Sequence, residues 1–341
     1  MTVWVDLVVF ATAWVLAGYL AGPASRITLL DHPNIRSLHR RPTPRTGGLA
    51  MLAAILTGGF LVGWMLPVAR PGLGFLVLGL GPLAVVSLLD DRRGIRFQWR
   101  LAVHAWAAFS LVLAGYRPDW FELPGSVMPL SSGFAFLLTL LGGVWMINLY
   151  NFMDGMDGFA GGMAVIGFSA LAWLGRADES FVGICLIVVA ASAGFLVHNF
   201  PPAKIFMGDV GSTALGFLAA ACGLWGNKIG LFPLWAALLI FSPFIVDATV
   251  TLLRRSLRGE NVWEAHRTHY YQRLVLLGWG HRRTVLAEYG LMLACAGSAV
   301  WAVDWSPAGQ LGLLIGWACV YVSLMWGVGR LERWRARVLA P

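Results

Sequence analysis

Apolar runs of roughly 15 to 22 residues, parted by short polar or basic connections, recur along the whole chain. A run near 20 residues crosses the ~30 Å hydrocarbon layer of a bilayer as a helix. The pattern predicts eleven crossings, at 3–21, 47–66, 72–89, 99–116, 133–150, 159–175, 180–198, 212–226, 231–252, 285–303 and 308–328. The expected fold class is an all-α integral membrane protein, with residues 1–341 forming a single polytopic membrane domain and its polar chemistry in the connecting loops. The first run carries Asp6 and lacks a basic leading segment, so it reads as a retained span and not as a cleaved signal. No internal repeat, appended soluble domain or low-complexity tract is visible.

Composition agrees. Hydrophobic residues make up 58% of the chain and charged residues 12%, with a mean hydropathy of +0.71, which excludes a soluble globular domain, a disordered chain and a secreted disulfide scaffold. The net charge of +8 would suggest nucleic acid in a soluble protein. Its distribution argues otherwise, and no nucleic-acid partner is expected. With the N-terminus outside, 21 of the 25 basic residues fall on the cytoplasmic side, leaving only Arg70, Arg117, Arg176 and Lys228 on the other face. That asymmetry predicts a multi-pass membrane protein with an odd number of spans and a cytoplasmic C-terminus. Cys185, Cys222, Cys295 and Cys319 are dispersed among apolar runs without CxxC spacing and read as packing residues.

The residues able to do chemistry fall in five connections on the cytoplasmic side. Asp90 and Asp91 close the third run. Adjacent carboxylates at a bilayer boundary repel and call for a cation or strong donors, for which Arg92 and Arg93 are at hand; the plainer reading is a solvated interfacial pair. In NLYNFMDGMDG, residues 148–158, Asn148, Asn151, Asp154 and Asp157 recur at every third position. On a continuous helix three such steps rotate the set by about half a turn, so Gly155 and Gly158 are expected to break the helix and gather the polar groups around a pocket.

The run KIFMGDVGS, 204–212, leads into an apolar helix. Asp209 and Ser212 suit helix N-caps. Equally, free N–H groups, two glycines and Lys204 suit a phosphate while Asp209 holds Mg²⁺, although GxxxxGK[ST] is absent. His266, Arg267 and His269 suit pyrophosphate, or lipid headgroups, and lack the third ligand of a zinc site. Arg45 lies in a basic loop stiffened by Pro42 and Pro44, fit either for a lipid phosphate or for an interfacial charge belt. Asp247, inside an apolar run, is unassigned; pairing with Arg254 would account for it.

Taken together, PTPRTGG, LLDD, NxxNFMDGMDGFAGG, FMGDVGSTALGF and HRTH, in this order from Asp31 to Arg273, resemble the polyprenyl-phosphate N-acetylhexosamine-1-phosphate transferases, glycosyltransferase family 4. The resemblance implies an integral enzyme of the bacterial inner membrane, its N-terminus in the periplasm, that transfers a sugar 1-phosphate from a UDP-N-acetylhexosamine to undecaprenyl phosphate, with Mg²⁺ (or Mn²⁺ in its place) and release of UMP. It implies that Asp209 and Asn151 hold the metal and that Phe206 stacks on uracil whose edge Asp157 reads. Asp90 and Asp91 would lie at the lipid-phosphate side; His266, Arg267 and His269 would hold pyrophosphate. Membrane lipid is a further expected partner, and a homodimer is compatible with the resemblance. Four departures stand out: Arg100-Leu101 in place of a Lys-Leu pair, His104 for a frequent Gln, Ser37 for a common Lys, and HRTHYYQRL for a run of consecutive His. The last resembles the O-antigen branch that uses deoxygenated N-acetylhexosamines.

Charge sets the expected mechanism. A phosphate monoester has its second pKa near ~6, so the lipid phosphate arrives mostly dianionic and gains little from a general base. The barrier is the approach of two anions, and charge neutralisation should dominate. Direct attack by the lipid oxygen is expected, with Asp90 orienting the acceptor or taking a residual proton; the competing scheme makes Asp90 or Asp91 a nucleophile. A multi-span secondary transporter of an anionic substrate is the alternative from another class, disfavoured because the polar groups collect at one interface and not at the midplane of repeated broken helices. A non-catalytic lipid-binding scaffold is a third reading.

Overall fold

The structure, a computed structural model, describes residues 3–27, 29–34, 37–65, 71–261 and 266–338. Arg36 and Arg70, both counted in the charge asymmetry, lie outside the described residues, as does the end of the second expected crossing. Each of the eleven expected segments forms helix over most of its described length. They are α1 (Val3–Ala21), α2 (Gly47–Met65), α3 (Pro71–Arg93), α4 (Phe97–Leu113), α5 (Ser132–Phe152), α6 (Phe159–Leu174), α7 (Glu179–Asn199), α8 (Gly208–Lys228), the pair α9 (Leu234–Ile240) and α10 (Ser242–Leu257), α12 (Gly280–Ala302) and α13 (Pro307–Val338). A short helix, α11 (Tyr270–Leu274), and a wider turn, Val275–Trp279, precede α12. Among the described residues five helices are long and apolar enough to cross a bilayer, or six if the bent α9–α10 pair counts as one.

One expected straight crossing is broken. Residues 231–252 form two helices meeting at 78°. Pro243 has no N–H to continue a helix, and the Ser242 hydroxyl turns back to the Leu239 carbonyl at 2.7 Å. The bend turns α10, with Asp247, along the polar end of the bundle.

α8 is the axis of the bundle. It is buried on nearly every side, packed by α5, α3 and α2, because its Gly, Ala, Ser and Thr residues let neighbouring backbones approach closely. The same small residues lower its hydropathy. α1 packs on α7 and α2, and α6 on α7 and α12, while α13 is exposed along almost its whole length. Its bare Leu311, Ile315, Val322 and Trp326 suit a hydrocarbon solvent, in which exposed apolar surface carries no penalty.

Two small antiparallel pairs complete the fold. β1 (Leu30–Asp31) pairs with β2 (Thr43–Pro44), folding the proline-stiffened loop onto the start of α8, where the Phe206 N–H donates to the Pro44 carbonyl at 2.7 Å. At the opposite end, β3 (Trp120–Leu123) and β4 (Ser126–Pro129) form a hairpin, near which Asp119 pairs with Lys228 at 2.5 Å.

The start of α2 is fastened to the residues just before Asp209. The N–H groups of Gly47 and Gly48 donate to the carbonyls of Phe206 and Met207 at 2.9 and 2.7 Å, capping a helix end that otherwise has free donors. A Cβ on Gly48 would overlap the backbone of Gly211 and stand 2.7 Å from the Met207 oxygen. Gly48→Ala should therefore cost about 1–3 kcal/mol, the usual penalty of overpacking. It should lower the melting temperature in detergent, whereas Gly59→Ala, which meets nothing within 4 Å, should leave it unchanged or slightly raised.

Candidate active site

All five polar connections converge at one end of the bundle. The turn after α5 is where Asn148, Asn151, Asp154 and Asp157 separate. The helix stops at Phe152, and Gly158 takes a left-handed φ of 76° to start α6, a conformation that favours glycine. Asn199 fixes that turn, accepting the Gly158 N–H at 2.9 Å and donating to the Ile205 carbonyl at 2.9 Å. The expected break is present, but the four residues do not share one pocket. Asn151, Asp154 and Asp157 line a polar cavity of about 310 Å³, together with Asp31, Arg45, Asp91, Phe206 and Asp209. Asn148 faces instead an apolar groove of about 800 Å³ between α4, α5 and α10, its amide donating to the Val144 carbonyl at 2.7 Å. Asn151 and Asp209 border both spaces.

Asp91 is 4% exposed and joins three elements. Its Oδ2 accepts the Asp209 N–H at 3.1 Å, so the carboxylate that caps α8 comes from α3. Its Oδ1 lies 3.6 Å from Arg45 Nε, and Arg45 also donates to the Asp91 carbonyl. The N-capping expected of Asp209 and Ser212 is thus supplied from elsewhere. Ser212 donates back to the Gly208 carbonyl at 3.2 Å, while the Asp209 carboxylate stands 3.9 Å from Arg100. Gly208, with φ of 70°, lets the chain pass beside Arg45 and Asp91.

Asp90 is engaged on both oxygens, by the Ile95 N–H at 2.5 Å and by Arg100 at 2.8 Å. The donors expected from the neighbouring Arg92 and Arg93 are instead Arg45 and Arg100, because the helical backbone turns the adjacent arginines outward to exposed positions.

These carboxyl groups lie beyond the apolar ends of their helices and repel one another. Burial first, then the neighbouring acids, pushes Asp209 up to about 7. Burial, only partly offset by Arg45, raises Asp91 to about 6. Asp154 is raised by burial and by Asp209, Asp91 and Asp157. Burial also acts on Asp90, but the Ile95 N–H and Arg100 outweigh it and hold that carboxyl low. Among the described residues no cluster of three or more His, Cys, Asp or Glu side chains is arranged to bind an ion by itself.

The basic loop divides. His266 and His269 line the apolar groove beside Asn151 and Asp209, with ring centres 4.8 Å apart. Burial, with His269 and Arg255 nearby, pushes His266 down to about 4, so it serves as a neutral donor or acceptor and brings no charge. Arg267 is exposed and lies in a separate cleft. Lys204 is exposed as well and lines neither space; its N–H donates to the His198 carbonyl at 2.8 Å. The chain bends at Lys204 and Ile205, and only Phe206, two residues on, enters the polar cavity. Asp157 is a clamp: it holds His281 at 3.0 Å and the Ala203 N–H at 3.0 Å.

Asp247 gains a definite place. It accepts the N–H groups of Tyr270 and Tyr271 at 2.9 and 3.1 Å and the Thr251 hydroxyl at 3.0 Å, and its Oδ1 lies 3.3 Å from His269 Nδ1. It caps α11 and orients His269, while Arg254 turns to the Tyr270 hydroxyl. An acid inside an apolar run is the signal that marks it. His281 carries no comparable sequence signal, and Arg100 is marked in the sequence only as standing where the resembled family often has lysine.

The sequence profile of glycosyl transferase family 4 matches residues 73–227. Three relatives extend the likeness. The "Probable undecaprenyl-phosphate N-acetylglucosaminyl 1-phosphate transferase" of Bacillus subtilis (strain 168) is 31% identical over 78% of this chain and 75% of its own length. The decaprenyl-phosphate N-acetylglucosaminephosphotransferase of Mycolicibacterium smegmatis is 30% identical over 95% and 86%. The phospho-N-acetylmuramoyl-pentapeptide-transferase of Lactobacillus johnsonii is 28% identical over 77% and 85%. With the motif-bearing loops gathered at one end of a helical bundle, these matches place the chain among the polyprenyl-phosphate N-acetylhexosamine-1-phosphate transferases of glycosyl transferase family 4, and it is a phosphoglycosyl transferase.

Proposed function

We propose that the protein transfers an N-acetylhexosamine 1-phosphate from a UDP-sugar to undecaprenyl phosphate, releasing UMP and starting a lipid-linked surface glycan of the O-antigen kind. One observation carries this reading: a polar cavity and an apolar groove meet at Asn151 and Asp209. A water-soluble donor and a lipid acceptor each find a compartment of matching polarity, and their phosphates can touch only at that border. The charge asymmetry supports eleven crossings with the site on the cytoplasmic face of the inner membrane.

In this scheme the donor occupies the polar cavity, its uracil against the face of Phe206. The polyprenyl chain lies along Phe97, Leu101, Trp145 and Leu253 of the groove. Its phosphate stands by Arg100, which already bridges toward Asp90 and Asp209. Asn151 and Asp209 suit Mg²⁺ or Mn²⁺, which keep few protein ligands and complete their shell with phosphate oxygens and water. When bound, the ion would offset diphosphate charge at the reaction centre. His269, fixed by Asp247, offers its other ring nitrogen to the phosphates from the groove side. The lipid phosphate oxygen forms its bond to the β-phosphorus as the bond to UMP breaks, the electron pair leaving on UMP. Direct attack is favoured over an aspartyl intermediate because Asp90 is held low and has both oxygens bonded, while those of Asp91 face Arg45 and the α8 N-terminus.

Detergent-purified protein supplied with UDP-sugar, polyprenyl phosphate and Mg²⁺ should release UMP. Asp209→Asn should lower the rate at least about 100-fold, since the loss removes transition-state charge stabilisation. Arg100→Ala should chiefly raise KM for the lipid. Undiminished turnover by Asp209→Asn would remove the metal assignment.

Protein incubated with ³²P-labelled UDP-sugar and no lipid should carry no label after denaturation. A labelled enzyme would establish the aspartyl route instead.

Asp91 and Asp209 keep their protons to about pH 6 and 7 when folded, whereas an unfolded Asp ionises near ~3.9. Between these limits the folded state binds more protons, so stability rises as pH falls. In EDTA the melting temperature should increase from pH 8 to 6, and saturating Mg²⁺ at pH 8 should raise it as well. A melt indifferent to both would contradict the crowded-carboxylate picture.

A further inference from the structure

A second cavity system, sharing no lining residue with the candidate site, lies where α13 leaves the bilayer. α13 has 32 residues, about 48 Å at the helical rise, against ~30 Å of hydrocarbon. Counted from Pro307, the apolar layer ends near Trp326, a residue type that favours the membrane interface. Beyond it the helix carries Arg330, Arg333, Arg335 and Arg337.

At that level α13 faces the ends of α10 and α11 across a cleft of about 690 Å³. Among the described residues the cleft holds Arg254, Arg255, Arg258, Arg267, Arg273 and Arg333 against two acids, Glu260 and Glu332. Both acids are taken. Glu260 binds Arg255 at 2.8 Å with Arg258 at 3.8 Å, and Glu332 binds Arg273 Nε at 2.7 Å. Arg254 and Arg273 lie over the Tyr270 ring at 5.8 and 4.5 Å. Arg267 and Arg333 face the cleft with no acid paired to them among the described residues.

A cavity of about 510 Å³ continues from the cleft toward the membrane interior, between α10, α12 and α13. The two share Tyr270 and Met325. Leu274, Leu291, Val320, Leu324 and Leu331 make this lower space an apolar slot. Asp247 and Glu288 also border it, which disfavours a phosphate there and leaves the anion in the arginine cleft.

We propose that the two cavities together bind an anionic glycerophospholipid, its phosphodiester among the arginines and one acyl chain in the slot. Arginine forks match phosphate oxygens, and a basic pocket between helices at the membrane surface draws anionic headgroups. A cleft alone would suit any soluble phosphate, and a slot alone any apolar chain; their continuity selects a molecule that is both. The bound headgroup touches Arg267, Thr268 and Tyr270, on either side of His269, and so fastens the segment that carries it.

Native mass spectrometry of delipidated full-length protein, titrated with phosphatidylglycerol, tests this. One lipid should be retained per chain, with phosphatidylcholine at least tenfold weaker and millimolar glycerol 3-phosphate unable to compete. Arg258→Gln with Arg333→Gln, both at exposed positions, should weaken retention at least fivefold, and Val320→Trp, which fills the slot and spares the arginines, should do the same. Equal retention of phosphatidylcholine would overturn the proposal, as would full retention by both variants. Displacement by glycerol 3-phosphate would reduce the site to an anion cleft, and displacement by equimolar undecaprenyl phosphate would make it part of the acceptor site; either result overturns the phospholipid assignment.

Discussion

The carboxylate of Asp91 is the joint on which the site depends. It sits at the end of α3, caps the N-terminus of α8 through the Asp209 N–H, and faces Arg45 from the loop before α2. A buried carboxylate needs such partners, since leaving it unpaired in an apolar setting is costly. The partners come from three separate stretches of chain, so satisfying one charge fixes the relative placement of three. Asp209 is then held where Asn151 and Arg100 also arrive. Every role proposed for the site follows from that junction.

Crowded carboxylates are the second constraint. Asp91, Asp154 and Asp209 are raised by burial and by each other, while Asp90 is calmed by Arg100 and the Ile95 amide. The fold thus carries a concentrated negative field facing an open cavity. Such an arrangement is unfavourable in isolation, and in the proposed reaction a bound cation would relieve it. Asp247 plays the opposite part: with two backbone amides, a hydroxyl and an imidazole around it, its charge is satisfied and its task is orientation.

The basic loop shows how the tertiary structure redistributes a motif. In HRTHYYQR the two histidines line the groove, while Arg267 and Thr268 between them line the cleft against α13, in the irregular backbone that leads into α11. Residues that read as one pyrophosphate clamp along the chain are divided between two spaces. The division links the candidate site to the membrane surface through the residues flanking His269.

Hydrophobic spacing, with helix as the only open structure that satisfies its backbone in lipid, set the helical segments directly from the sequence. Glycine chemistry likewise set the break at Gly158. The family was legible too, because short motifs carry local geometry that travels with them. The bend at Ser242–Pro243, the exchange of Arg92 and Arg93 for Arg45 and Arg100, and the clamp between Asp157 and His281 were not. Those depend on which helices pack side by side. Long-range charge pairing has no period along the chain, so only the tertiary structure could decide it.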